Sequence, residues 1–527
     1  MNGHLLTAYL DDASCQDLSG IRGISYRDQK GEVRTTPERP RLENLDIIPS
    51  PVLTGAIELT DQAGRFRYDV ALMETNRGCP YKCSFCYWGG AVGQRVKAFS
   101  RDRLRAELEV FGRLKVHTVA LCDANFGLLP IDEEFVDDLI EVREEHGYPR
   151  ALESSWAKNK SDVFYSIVRK MKAAGLRSSF TLSLQTLNDA ALREMNRRNM
   201  RVNDWEDLVA WLGREGLECY AELIWGAPGE TVDSFMEGYD RLARRVSRIA
   251  VYPLLLLPNT QYSDKKEEYG IISVRGDNDD FEYSLAHHTI SFAENQRMQR
   301  FLFWARLLAE YTVLRHVWGP LRALAGITQS RLLRSIEEWV DGTNDPAAEP
   351  LRAALVRSAA DQDAYGPALS YLLSGGEAQR LLRRWWRESV RPVLPAAVAP
   401  ILDEVFEYDL LTHPVFRRRD DRPHGQPAES LPLVQFDGEN FYHRSAVNLR
   451  YNVPAILDAI RTDEAPDRAP APTTLDLYYR VGFENFADTT NHEEILYFMG
   501  VTKEQLLAAD LRKARDRVIA GAHLVVR

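Results

Sequence analysis

Arg77-Gly78-Cys79-Pro80-Tyr81-Lys82-Cys83-Ser84-Phe85-Cys86-Tyr87 holds three of the chain's six cysteines at a Cys-x3-Cys-x2-Cys spacing. Three thiolates so close in sequence read as a metal site, and their number narrows the kind. A structural zinc ion takes four protein ligands, whereas three leave one iron of a cubane cluster open to chemistry. Gly78 and Pro80 bracket Cys79 and permit the sharp turn that lets the sulfurs converge. The competing readings are a zinc site completed by a histidine such as His117, or a passive electron-transfer cluster. Cys15, Cys122 and Cys219 stand alone; the last two lie inside apolar runs and read as buried free thiols.

The spacing, with Phe85 just before the third cysteine, resembles the signature of the radical S-adenosylmethionine (SAM) superfamily. That resemblance implies a [4Fe–4S] cluster on Cys79, Cys83 and Cys86, with SAM chelating the fourth iron through its amino and carboxylate groups. Reductive cleavage of SAM to a 5′-deoxyadenosyl radical follows from it, as does a reductant such as flavodoxin or ferredoxin.

From about residue 68 short apolar runs alternate with helical stretches, the pattern of βα units on a parallel sheet. The strands read as Val70-Glu74, Thr118-Asp123, Ala151-Ser155, Ser179-Leu184, Glu218-Trp225 and Ile249-Leu257. Leu104–Leu114, Glu134–Glu145, Val163–Ala174, Trp205–Glu215 and Val232–Val246 carry apolar residues at helical spacing. The expected fold is α/β, a partial (β/α)6 TIM-like radical SAM barrel with a mostly helical C-terminal domain. Residues 1–67 would be a linker or remnant, 68–265 the barrel, and 266–527 a domain covering it. Phe292–Val317 reads as one long helix, Ser263–Asp280 as a charged connection, and the chain beyond Leu411 as irregular, with Pro-rich loops near His413–Pro432 and Ala465–Pro472.

Cysteines placed directly after the first strand lie at the C-terminal edge of the sheet, where parallel α/β folds carry their sites. Other strand ends bear polar residues too: Asp123-Ala124-Asn125, Glu153-Ser154-Ser155, Ser183-Leu184-Gln185-Thr186 and Glu222-Leu223-Ile224. Repeated at one edge, these read as a binding rim. By strand position the family resemblance assigns Asn125, Ser183, Gln185, Glu222 and Ile224 to SAM, with Phe85 on the adenine side. Gly226-Ala227-Pro228-Gly229-Glu230-Thr231 resembles the family's turn after strand five. Glu222 stands where the family's usual first glycine would be. Thr186 and Asn188 are fair helix starters. His287-His288 and Tyr442-His443-Arg444 read as structural.

The chain has 527 residues and a formal net charge of −11. That length supports a sizeable core. The acidity argues against a nucleic-acid partner, and with it against transfer-RNA modification. Arg383-Arg384 and Arg417-Arg418-Arg419 read as solvated or ion-paired surface. No run approaches the ~20 apolar residues of a membrane span, and the start is unlike a signal peptide, so the cytoplasm is the expected compartment and no membrane partner is expected.

A wider likeness runs through Gly20-Ile21-Arg22-Gly23-Ile24, Leu45-Asp46-Ile47-Ile48-Pro49-Ser50-Pro51 and Trp88-Gly89-Gly90. Over residues 18–320 the chain resembles cobalamin-dependent radical SAM C-methyltransferases of natural-product (kedarcidin-type enediyne) biosynthesis. The likeness implies methylation of an unactivated carbon in a small-molecule or carrier-bound substrate, with methylcobalamin as methyl donor. About seventy residues precede the first strand, too few for the family's cobalamin-binding domain. Cobalamin would therefore come from sequence upstream or from a separate cobalamin-binding protein. Otherwise the enzyme performs cobalamin-independent hydrogen abstraction. A non-catalytic metal-binding barrel is the further alternative.

Overall fold

In the computed structural model the described residues run from 18 to 507, leaving out 89–91, 158–160, 177, 198–201, 216, 218, 247, 278, 360, 362–363, 374–375, 417–425, 428–430, 437–438 and 483–491. Cys15, Gly89-Gly90 and Arg417-Arg418-Arg419 fall outside them, as does the first residue of the expected strand at Glu218.

Six parallel strands form in the expected order: β1 (Ala71–Met73), β2 (Thr118–Leu121), β3 (Ala151–Glu153), β4 (Phe180–Gln185), β5 (Cys219–Trp225) and β6 (Arg248–Pro253). They make two three-stranded sheets, β1-β2-β3 and β4-β5-β6, rather than one continuous ladder. Side chains bridge the gap between β3 and β4. Trp156 Nε1 donates to the carbonyl of Ser179 at 2.9 Å, and the Ser179 N–H donates to Glu153 at 3.3 Å. The fold is therefore the expected partial (β/α)6 arrangement, open rather than closed.

Alternation within the strands separates core from lumen. On β5, Cys219, Ala221, Leu223 and Trp225 are buried beneath helices, while Tyr220, Glu222 and Ile224 take the half-buried inner face. β4 repeats this with Thr181, Ser183 and Gln185 inward. Each large apolar side chain on the outer face contributes about 1.5–3 kcal/mol. The same period corrects the reading of Cys122, which is exposed because it follows β2 on the face of Ala120; Cys219 is buried as expected.

Helices α1 (Arg101–Arg113), α2 (Pro130–His146), α3 (Asp162–Ala173), α4 (Asp189–Glu194), α5 (Val202–Arg214) and α6 (Val232–Leu242) fill the crossovers. Side-chain oxygens of Ser100, Ser161, Asn188 and Thr231 cap α1, α3, α4 and α6. Capping satisfies N–H groups that have no intrahelical acceptor.

Beyond β6 the structure departs from the sequence reading. Ile249–Leu257 is not one strand: β6 stops at Pro253, and Leu255–Leu256 (β7) joins an antiparallel sheet with Ile272–Arg275 (β8) and Glu282–Ala286 (β9). The charged connection thus contains a strand. The long helix is also shorter than expected. α7 (Phe292–Trp304) runs into a π turn at Ala305–Glu310 and ends at Tyr311. There the buried carboxylate of Asp409 accepts the N–H groups of Arg315, His316 and Val317 at 2.9, 2.8 and 3.0 Å, a better arrangement than continued helix could offer them. Helices follow to Leu411, but the remainder is not irregular. Leu433–Phe436 (β10), Glu439–Leu449 (β11) and Thr473–Arg480 (β12) form an antiparallel sheet. Arg383 and Arg384 are ion-paired, to Glu407 and to Asp345 and Glu388. Among the described residues no helix is long and apolar enough to cross a membrane.

Candidate active site

The cysteine loop leaves β1 and returns through a two-residue antiparallel pairing, Asn76–Arg77 with Lys97–Ala98. Gly78 makes the entry with φ +127, and a Cβ there would lie 2.5 Å from the Arg95 carbonyl. Only glycine fits such an approach. The exit is fastened by Gln94 N–H to Cys79 O and Gly93 N–H to Tyr81 O, both at 2.8 Å.

Asp123, fully buried just past β2, fixes the start of the loop. One of its oxygens accepts the N–H of Thr75 at 2.9 Å and of Asn76 at 3.3 Å, and the other accepts the Thr75 hydroxyl and the Asn76 amide. Burial pushes its carboxyl up to about 7, against the pull of those donors. Ser84 clamps the middle of the loop. Its N–H donates to Met195 O at 2.9 Å, its hydroxyl lies 3.0 Å from Glu194 O, and its carbonyl accepts from Tyr262 N–H at 3.1 Å.

This scaffold buries Cys79 and Cys83 and leaves Cys86 half-buried. Asn125 Nδ2 donates to Cys79 Sγ at 3.2 Å. Asn125 is 2% exposed, and its Oδ1 is buried without a hydrogen-bond partner among the described residues. A buried amide oxygen left unmatched costs free energy unless something donates to it, so a ligand ammonium or hydroxyl fits there.

Four of the other expected site residues fall into two pairs, and Gln185 stands apart. Ser183 donates to Glu222 at 2.7 Å across the inner faces of β4 and β5. Phe85 and Ile224 pack on a small apolar cluster of Met195, Ala227, Leu254, Leu256, Tyr262, Tyr269 and Ile271. Gln185 ends β4 with φ +68, beyond a register shift. The Gly226–Thr231 turn is held by Glu230, which accepts from Thr186, Asn188 and Ser234, while Asn188 caps α4.

The sequence reading missed Arg197. It is buried, donates to Ser183 O and interacts electrostatically with Cys83. Burial pulls its guanidinium down, while Cys83, Tyr81 and Cys86 pull the other way. No local motif marks it, because its partner lies more than a hundred residues earlier.

The zinc reading loses His117 as its fourth ligand. His117 precedes β2, at the opposite end of that strand from the cysteines, with Nδ1 2.9 Å from Thr118 Oγ1. One ion with four sulfur bonds of 2.3 Å would draw the sulfurs to about 3.8 Å from one another. Among the described residues the trio of donors gathered within 4.8 Å is Glu109, Glu145 and His146 on the outer helices, not the cysteines. A wider, three-thiolate donor set suits a multi-iron cluster, so the residues fit the group implied for them. His287 is structural, bonded to Gly226 O at 3.1 Å.

Residues 73–242 match the Radical SAM superfamily model. The chain is 37% identical over 266 residues to TokK of Streptomyces tokunonensis, a cobalamin-dependent radical SAM methyltransferase, covering 49% of this chain and 39% of that protein. It is 34% identical over 267 residues to the 2-(S-pantetheinyl)-carbapenam-3-carboxylate methyltransferase of Streptantibioticus cattleyicolor, again covering 49% and 39%. The chain thus spans about two fifths of the length of these curated relatives. Among solved structures, the cobalamin-dependent SAM radical enzyme OxsB with aqua-cobalamin bound gives a TM-score of 0.43 at 14% identity, covering 77% of this chain and 63% of that one. With its cysteine loop at the open strand ends, the segment from residue 73 to 242 is a radical SAM domain, whose family cofactors are a [4Fe–4S] cluster and SAM.

Proposed function

We propose that this protein methylates an unactivated carbon of a small-molecule or carrier-bound natural-product precursor, using Cys79, Cys83 and Cys86 as its iron ligands. The observation that carries the reading is the placement of three cysteines at the open edge of the sheet, beside a buried Asn125 whose oxygen has no donor among the described residues. Likeness to methyltransferases, one of which is named for a pantetheine-linked carbapenam, supports methyl transfer and a substrate on a flexible arm. We also keep as proposals the division at residues 68 and 265, with the C-terminal part covering the barrel, and a reductant such as flavodoxin or ferredoxin.

When bound, the cluster would supply the electron that splits SAM to a 5′-deoxyadenosyl radical, and methylcobalamin would supply the methyl group. The chain's residues bind and orient. Asn125 Oδ1 offers an acceptor to the SAM ammonium. Ser183, Gln185 and Glu222 line the inner wall for its polar groups, and Phe85 and Ile224 give the adenine an apolar seat. Arg197 places a positive charge against the sulfurs.

Anaerobic reconstitution tests the reading. About four irons per chain, 5′-deoxyadenosine on reduction with SAM, and S-adenosylhomocysteine in the presence of methylcobalamin are expected. 5′-Deoxyadenosine without S-adenosylhomocysteine, together with an epimerised or dehydrogenated product, selects cobalamin-independent hydrogen abstraction instead. Iron binding no better than that of Cys83→Ala ends both.

A further inference from the structure

One of the three cysteine sulfurs receives a hydrogen bond from a buried side chain, and a second lies in the field of a buried guanidinium. Asn125, after β2, donates to Cys79 at 3.2 Å, and Arg197, after α4, is held by Ser183 O with its charge bearing most strongly on Cys83. Both side chains are held independently of the sulfurs: Asn125 follows the anchored Asp123, and Arg197 donates to Ser183 O. They are 2% and 8% exposed, so water competes little for these interactions.

We propose that Asn125 and Arg197 tune the reduction potential of the cluster carried by this loop, raising it into the range a low-potential donor protein can reach. The inference rests on the reading of Cys79, Cys83 and Cys86 as iron ligands and adds a role that the ligands alone do not supply. Reduction takes one electron from the donor and leaves one more negative charge on the cluster and its thiolates, with no bond made or broken. An N–H directed at sulfur stabilises that added charge more than it stabilises the oxidised form, and a guanidinium in a dry site does so more strongly. Partners of this kind outside the ligand set are a recognised lever on a metal centre. The half-buried Cys86 leaves one side of the site nearer to solvent, where an electron donor can approach.

The test uses SAM-free reconstituted protein, so that it reads the potential rather than turnover. Wild type, Asn125→Ala, Arg197→Met and Arg197→Lys are titrated with dithionite or titanium(III) citrate, and the reduced cluster is followed by electron paramagnetic resonance. Both Asn125→Ala and Arg197→Met are expected to shift the midpoint to more negative potential, and the double variant further still. Arg197→Lys, which keeps the charge, should stay nearer to wild type. Unchanged or more positive potentials in variants with full iron content would overturn the proposal. So would loss of the cluster from all the variants, since the two residues would then be supports of the loop. Wild type that takes up no iron would instead sink the underlying reading of the cysteines.

Discussion

The carboxylate of Asp123, just beyond the second strand, accepts the backbone N–H of Thr75 at 2.9 Å from forty-eight residues away in the chain. Through that bond the end of β2 dictates where the cysteine loop begins. Asp123→Ala leaves buried donors of Thr75 and Asn76 unmatched, at a cost of about 2–4 kcal/mol. Urea denaturation should show that loss and iron analysis a lowered occupancy, while Asp123→Asn, which keeps one acceptor oxygen, should lose less. An alanine variant as stable as wild type would show that the anchor is dispensable.

Gly78→Ala tests the loop's entry. The new Cβ meets the Arg95 carbonyl at 2.5 Å and the backbone must hold φ +127, together costing about 3 kcal/mol or more. Reconstituted protein should bind well under half the iron of wild type. Full iron uptake would mean that the loop opens without penalty.

Glu222→Gln changes the inner wall of the barrel, where Ser183 donates to Glu222 at 2.7 Å. The amide is expected to leave the fold intact and to weaken SAM about tenfold, the effect of one charge-assisted hydrogen bond. Calorimetric titration reads this directly. Unchanged SAM affinity with a changed substrate preference would move Glu222 to the substrate side of the lumen.

Acid stability gives a check far from the site. His413 is fully buried, with Nε2 2.8 Å from Val313 O, and burial, helped by Arg315 and Arg383, pulls its imidazole down to about 4. The folded value lies below the unfolded one of about 6.5, so the unfolded chain binds the extra proton between them. Stability is therefore whole above pH 6.5 and falls as pH drops toward 4, by roughly 3 kcal/mol from this residue. Denaturation midpoints of His413→Gln should fall less steeply than those of wild type across that window. Parallel slopes would mean that His413 does not titrate there.

Much of the barrel was legible because its signals are local. Alternating runs such as Phe180–Gln185 and helix-spaced ones such as Asp162–Ala173 need no distant partner to be recognised. Signals that depend on distant partners failed. The helix expected to reach Val317 stops at Tyr311 because Asp409, nearly a hundred residues on, captures the N–H groups that follow. The terminal sheet was missed because β11 and β12 pair across a Pro-rich stretch that reads as loop.

By itself, the sequence determined the spacing of Cys79, Cys83 and Cys86, the alternation of strands and helices, and hence the edge at which the loop emerges, all of them consequences of near neighbours in the chain. Only the tertiary structure decided what faces those sulfurs. Asn125 donates to one, the charge of Arg197 bears on another, Ser183 and Glu222 satisfy each other, Cys122 turns outward and His117 stays at the far end of its strand. Contacts of that kind are fixed by how strands and turns pack together, and no periodicity along the chain encodes them.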